Sequence, residues 1–180
     1  MTHPGIALYN RGVAFELGQD KPQNWSEAVR YYQLAAKLGL ADAQFRLGDC
    51  FENGAGAIAQ DWSEAVRYYR LAAEQGHGPA QCQLGICFDN GTGVAQDCKQ
   101  AVRYYRLAAD RGHDRALCQL GICFDRGRGV AQDWAEAARY YRLAAEQGNL
   151  VAQCSLGSCL ANGEGVARDL AGAASRRRPP

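Results

Sequence analysis

Residues 78–112 read GPAQCQLGICFDNGTGVAQDCKQAVRYYRLAADRG, and this stretch recurs with small changes along the chain. Tyr-Tyr-x-Leu-Ala-Ala begins at Tyr31, Tyr68, Tyr104 and Tyr140, and Leu-Gly at Leu47, Leu84, Leu120 and Leu156. Trp62, Cys98, Trp134 and Leu170 are each 36 residues apart, whereas Trp25 and Trp62 are 37 apart. The extra residue falls in the loop Gly54-Ala-Gly-Ala-Ile-Ala-Gln-Asp61, one longer than Gly91-Thr-Gly-Val-Ala-Gln-Asp97, where an insertion costs little. A period of this length means a solenoid in which each repeat contacts its neighbours and a long surface replaces a single pocketed core. Residues 61–93 and 97–129 agree at 23 of 33 aligned positions, as expected of a recent duplication.

Within a repeat, Ala80, Leu84, Cys87 and Phe88 fall at i, i+4, i+7 and i+8, one face of a first helix from about Gly78 to Asn90. Gly91-Thr-Gly93 ends it, as do Gly54-Ala-Gly56, Gly127-Arg-Gly129 and Gly163-Glu-Gly165 in the other repeats. Asp61-Trp-Ser-Glu64 and Asp133-Trp-Ala-Glu136 then read as capping boxes that open a second helix. That helix carries Trp62, Ala65, Val66, Tyr69, Ala72 and Ala73 on one stripe, turns Arg67 and Arg70 away, and ends at Gly76, Gly112 or Gly148. Mid-helix Gly48, Gly85, Gly121 and Gly157 each cost on the order of 1 kcal/mol relative to Ala, which points to close helix approach. Five such pairs predict ten helical segments and no strand, the last segment truncated after Asp169.

These residues resemble the Sel-1-like repeat, a relative of the tetratricopeptide repeat, through Ala-x-x-x-Leu-Gly-x-x-Phe-x-x-Gly-x-Gly-Val-x-x-Asp-x-x-x-Ala-x-x-Tyr-Tyr-x-x-Ala-Ala-x-x-Gly. The match runs from about residue 4 to 170. The resemblance implies an all-α fold, a right-handed α-solenoid superhelix of antiparallel helix pairs serving as a non-catalytic scaffold for protein–protein contacts. One domain over 1–180 is expected, with repeats at about 4–39, 40–76, 77–112, 113–148 and a truncated 149–175, followed by a tail at 176–180. Arg11 stands where Leu84 would be, so the first repeat is degenerate, and Ser175-Arg-Arg-Arg178 replaces Arg-Tyr-Tyr-Arg at the other end.

The composition excludes several classes of function. A net charge of +1, with 22% charged and 47% hydrophobic residues, calls for neither nucleic acid nor an acidic membrane. No apolar run reaches membrane-spanning length, and Met1 to Asn10 lacks a secretory leader, so a cytoplasmic protein is expected. The acids recur as columns instead of converging pairs, and the Gly-x-Gly loops lack the strand of a nucleotide site, so no enzyme chemistry and no cofactor are expected. His77 and His113 share one column in the loop after the second helix and read as solvated.

The eight cysteines form the columns Cys50, Cys87, Cys123, Cys159 and Cys82, Cys118, Cys154, plus Cys98 in the tryptophan column. None makes Cys-x-x-Cys, and the spacing suits neither a disulfide nor a zinc site. A cysteine-rich bacterial subgroup of the same family is disulfide-bonded through the second Ala of Leu-Ala-Ala, which here is Ala36, Ala73, Ala109 and Ala145. The Cys50 column therefore reads as small core residues. The alternative is a thiol-based redox or metal-binding protein using Cys82, Cys118 and Cys154.

The resemblance also implies a concave groove lined by the first helices. Its columns are Tyr9, Phe45, Cys82, Cys118 and Cys154; Val13, Asp49, Ile86, Ile122 and Ser158; and Glu16, Glu52, Asp89, Asp125 and Ala161. The groove is expected to be apolar with an acidic edge and to take a protein or peptide segment with basic residues and apolar anchors. Cys82 and Cys118 are expected to react before Cys50, Cys87 and Cys123. Arg30, Arg67, Arg103 and Arg139, with Arg70, Arg106 and Arg142, make the outer face basic.

Overall fold

The computed structural model describes residues 3–19 and 22–165, and these hold nine α-helices and no strand. The expected tenth segment, after Asp169, lies outside the described residues. The chain divides into two compact units, Met1–Gln96 and Asp97–Pro180. The first contains α1 (Ile6–Leu17), α2 (Trp25–Lys37), α3 (Ala41–Asn53), α4 (Trp62–Glu74) and α5 (Gly78–Asn90). The second contains α6 (Cys98–Ala109), α7 (Asp114–Arg126), α8 (Trp134–Glu146) and α9 (Leu150–Asn162). Within each unit successive helices pack as pairs, giving an all-α solenoid of helical repeats.

Side-chain caps set the helix starts. Asp61 accepts from the amides of Ser63 and Glu64 at 2.9 and 3.1 Å, and Asp97 and Asp133 do the same for α6 and α8. The Glu half of the expected capping box is absent from α4 and α8: Glu64 grips Arg67 through three hydrogen bonds of 2.7–3.1 Å, and Glu136 grips Arg139 likewise. A guanidinium one turn ahead is a stronger, charge-assisted donor than the N-cap amide, so it takes the carboxylate. His77 and His113, expected to be solvated, are N-caps: the Nδ1 atoms accept from Ala80 and Ala116 at 3.2 and 3.3 Å. Asn149 fills the same position on α9, accepting from Ala152 at 3.0 Å.

The extra residue before Asp61 leaves the frame intact. Asp61 N donates to Phe51 O at 2.9 Å, as Asp133 N does to Phe124 O. Gln60 donates to the Glu52 carbonyl at 2.8 Å, as Gln132 does to Asp125 at 2.7 Å. The insertion is absorbed between Gly54 and Gln60. The second glycine of each Gly-x-Gly presses on the start of the preceding second helix: a Cβ on Gly93 would lie 2.2 Å from the Trp62 carbonyl oxygen, and one on Gly129 2.2 Å from that of Cys98.

Small residues let the helices approach. The core of the first unit gathers Ala28, Val29, Tyr32, Ala35, Ala43, Leu47 and Cys50; that of the second gathers Ala137, Ala138, Tyr141, Ala144, Leu156 and Cys159. Burying a leucine such as Leu47 stabilises by about 2 kcal/mol. In α2, α4 and α8 the first tyrosine of the pair stacks on a phenylalanine of the preceding first helix: Phe15–Tyr31, Phe51–Tyr68 and Phe124–Tyr140 have centroids 5.5–5.6 Å apart and planes within 12°. The tryptophans do not join the core stripe: Trp25 and Trp134 are exposed, at the N-terminal end of a second helix against which a Gly-x-Gly loop packs.

Candidate functional site: the first-helix face and its acidic cleft

In the first unit, α1, α3 and α5 carry the residues expected to face a partner. Tyr9, Val13, Glu16, Phe45, Asp49, Glu52 and Ile86 are half-buried. Tyr9 and Phe45 lean on the second-helix tyrosines, with ring centroids 5.7 Å from Tyr32 and Tyr69 respectively. Phe45 also meets the His77 ring at 4.9 Å. Cys82 and Asp89 are buried, only 1% and 8% exposed. In the second unit Ile122 and Asp125 are half-buried, Cys118 is buried and Cys154 is exposed.

The expectation that Cys82 and Cys118 line an open stripe is thus corrected. Both sit one turn after the N-terminus of a first helix and are only 1% and 4% exposed. Burial also pushes the Cys50 and Cys87 thiols up to about 12, and raises those of Cys118 and Cys159. Such groups stay protonated at neutral pH and are poor nucleophiles, and of the three cysteines of the thiol-based alternative Cys82 and Cys118 are buried and Cys154 is exposed.

The acidic column is wired into the fold. The Tyr32 hydroxyl donates to Glu16, and Arg46 of the following repeat pairs with the same carboxylate. One repeat on, the Tyr69 hydroxyl donates to Asp49 at 3.0 Å and to Glu52 at 2.5 Å, and Gln83 donates to Glu52 at 2.9 Å. Arg46 and Gln83 occupy equivalent positions. Neither that column nor the second tyrosine was readable as a partner of the acids, since the pairs are 16–31 residues apart and mix residue types.

A cleft of about 340 Å³ opens between α1 and α3, lined by Glu16, Trp25, Arg46, Asp49, Cys50 and Asn53 and floored by Gly54 and Ala55. Sequence reasoning placed Glu16 and Asp49 here and missed Trp25 and Arg46. Arg46 bridges Glu16 and Asp49, the latter at 3.5 Å. Burial works against the Arg46 charge, but the hydrogen bond and charge of Glu16 outweigh it. Burial raises Asp49 to about 6; Tyr69 and Arg46 oppose the rise and the Glu52 charge adds to it. Two carboxylates, Glu16 and Asp49, share the one guanidinium of this cleft, and the nearby Glu52 charge adds to theirs, so the corner is short of positive charge.

On the outer face, α2, α4 and α8 each pair one arginine with a glutamate of the same helix. Arg30, Arg67 and Arg139 pair with Glu27, Glu64 and Glu136 at 3.3, 2.7 and 2.8 Å. The Arg67 and Arg139 guanidinium groups also lie 4.2 and 4.3 Å from the centroids of Tyr68 and Tyr140. No helix among the described residues is long and apolar enough to cross a membrane.

The model of the Sel1 repeat matches residues 5–40, 41–77, 78–113, 114–149 and 150–174. The chain belongs to the Sel1 repeat family. It is 36% identical to a Sel1 repeat protein from Oxalobacter formigenes, with a TM-score of 0.89 over 97% of this chain and 71% of that one. It is 32% identical to a protective antigen of uropathogenic Escherichia coli displaying an SLR fold, with a TM-score of 0.91 over 97% of this chain and 37% of that one. It therefore spans little more than a third of the antigen. Cysteine rich protein B of Helicobacter pylori shares the fold at 24% identity and a TM-score of 0.53, covering 68% of this chain and 86% of that one. No curated protein matches the chain. Sel1 repeats are generally non-catalytic scaffolds for protein–protein contacts, and repeat proteins of this kind bind other proteins.

Proposed function

We propose that this protein is a non-catalytic adaptor whose first-helix face binds a segment of another protein through apolar contacts, with a basic side chain of that segment entering the Glu16–Asp49 cleft. The observation that carries this reading is the raised Asp49 carboxyl in a cleft whose lining sets Glu16 and Asp49 against the single guanidinium of Arg46. A lysine or arginine arriving there relieves the charge deficit, and Trp25 offers its guanidinium or methylene stem an aromatic wall. Tyr9, Val13, Phe45 and Ile86 supply half-buried apolar area along the same helices. In the second unit the corresponding contacts are Ile122, Asp125 and Cys154. The charge sets the rate of encounter and the apolar contacts set the lifetime.

A random peptide library selected on the purified protein tests this. Selected peptides are expected to carry lysine or arginine among apolar residues, to weaken several-fold on Asp49→Asn or Ile86→Ala, and to bind normally to Arg67→Glu with Arg70→Glu. Selection of acidic peptides alone, or loss of binding only in the arginine variant, overturns the assignment.

A further inference from the structure

The near-duplicate blocks 61–93 and 97–129 differ at ten positions, and seven of the ten change charge. Six move toward positive: Ser63 becomes Lys99, Glu64 becomes Gln100, Gln75 becomes Arg111, Pro79 becomes Arg115, Asn90 becomes Arg126 and Thr92 becomes Arg128. One opposes, Gly78 becoming Asp114. The earlier block holds two arginines against four acids, the later one seven basic residues against four acids. Core positions are nearly unchanged, so the divergence is concentrated on the surface.

The fold brings the key substitutions to one end of a helix pair. α6 and α7 are paired and α7 ends at Arg126; the loop that follows folds onto the first turn of α6. The Cβ that Gly129 lacks would lie 2.2 Å from the Cys98 carbonyl oxygen and 3.0 Å from the Lys99 amide nitrogen. Arg126 and Arg128 thereby share this end with Lys99. Arg103 and Arg106 continue the stripe from Lys99 at i+4 and i+7. In α2, α4 and α8 the arginine equivalent to Arg103 is held by a glutamate three residues before it; in α6 that glutamate is Gln100, and among the described residues Arg103 has no ion-pair partner.

We infer that this end of the α6–α7 pair is a second docking surface, which takes an acidic segment of a partner protein. A solvated face would have kept the intrahelical Glu–Arg pair, as the other three second helices do. Losing the glutamate while gaining Lys99 and Arg126 gives this end, with Arg103 and Arg106, four basic side chains beside Asp97 and Asp125, a positive excess that steers an anionic chain. The surface is independent of the acidic cleft, which takes the opposite charge.

The test exchanges the residues of the two blocks, each set being compatible with its helix pair. A labelled peptide of twelve glutamates is titrated against the protein by fluorescence anisotropy at low and physiological salt, beside a polyuridine oligonucleotide and phosphatidylserine vesicles. The wild type is expected to bind the peptide in a salt-dependent manner. Lys99→Ser, Gln100→Glu, Arg126→Asn and Arg128→Thr together are expected to lower affinity at least about fivefold with helix content unchanged. The reverse exchange, Ser63→Lys, Glu64→Gln, Asn90→Arg and Thr92→Arg, is expected to add binding. Equal binding by wild type and the first variant, or binding of the oligonucleotide or vesicles without the peptide, overturns the proposal. Asp49→Asn, which tests the cleft, is expected to leave glutamate binding unchanged.

Discussion

The ring of Tyr69 lies in a notch that Gly48 leaves in α3: a Cβ at position 48 would stand 2.3 Å from the tyrosine Cε1. The same relation joins Gly12 to Tyr32 and Gly121 to Tyr141, with closest approaches of 2.6 and 2.5 Å. In the first unit the hydroxyl at the far end of the ring reaches a carboxylate one turn on, Glu16 for Tyr32 and Glu52 for Tyr69. Glycine, tyrosine and acid therefore form a single device that locks a second helix onto its first.

Gly48→Ala gains about 1 kcal/mol of helix propensity but forces a methyl into the Tyr69 ring. Overpacking of this kind costs roughly 1–3 kcal/mol and occasionally more. Net destabilisation is expected in urea unfolding, for Gly121→Ala as well. Tyr69→Phe is expected to cost about 1 kcal/mol through the lost hydroxyl. A Gly48→Ala variant more stable than wild type would contradict the notch.

Asp49 gives a defined pH signature. Its folded pKa of about 6 lies above the unfolded value of about 3.9. Between those values the native state binds more protons, so the Asp49 contribution is fully present below about pH 4 and is lost as pH rises through 6. The effect is on the order of 2 kcal/mol. Asp49→Asn is expected to flatten that fall in unfolding experiments across pH 4–7. His77 runs the other way: burial lowers its pKa, so its contribution is present above the unfolded value of about 6.5 and declines as pH falls. The two are separated by comparing the single variants.

Thiol titration under native conditions is expected to show Cys154 reacting first, Cys98 more slowly, and Cys50, Cys82, Cys87, Cys118, Cys123 and Cys159 only on unfolding. Cys154→Ser should remove the fast phase. Early modification of Cys82 or Cys118 would contradict their burial.

Replacing His77 separates its capping role from its charge. Asn149 performs the same capping on α9, so His77→Asn is expected to be nearly neutral, whereas His77→Ala loses about 1 kcal/mol. Equal losses in thermal unfolding would show that the ring's contact with Phe45, not its Nδ1, matters.

The helix pairs were legible because helical periodicity, glycine stops and Asp caps are local signals, and Gly78–Asn90 begins and ends as its pattern predicts. The buried Cys50 column was legible because Cys87 shares a face with Leu84. What escaped depends on neighbours in other repeats. Glu16 and Glu52 look like free acids in a column until Tyr32, Arg46, Tyr69 and Gln83 are brought beside them. His77 reads as a loop residue because its ring caps α5 from outside the helical pattern. Trp25 follows the core period and yet is exposed, lining the cleft beside Asp49. Arg46 left no periodic trace, since its equivalents are Gln83, Gln119 and Ser155.

The most direct test of the proposed adaptor role is amide hydrogen exchange with and without a selected peptide. Added protection is expected over residues 9–16 and 45–53 and around Ile86, with α2 and α4 unchanged between Arg30 and Lys37 and between Arg67 and Glu74. Protection confined to those α2 and α4 segments, with the first helices unaffected, would contradict it.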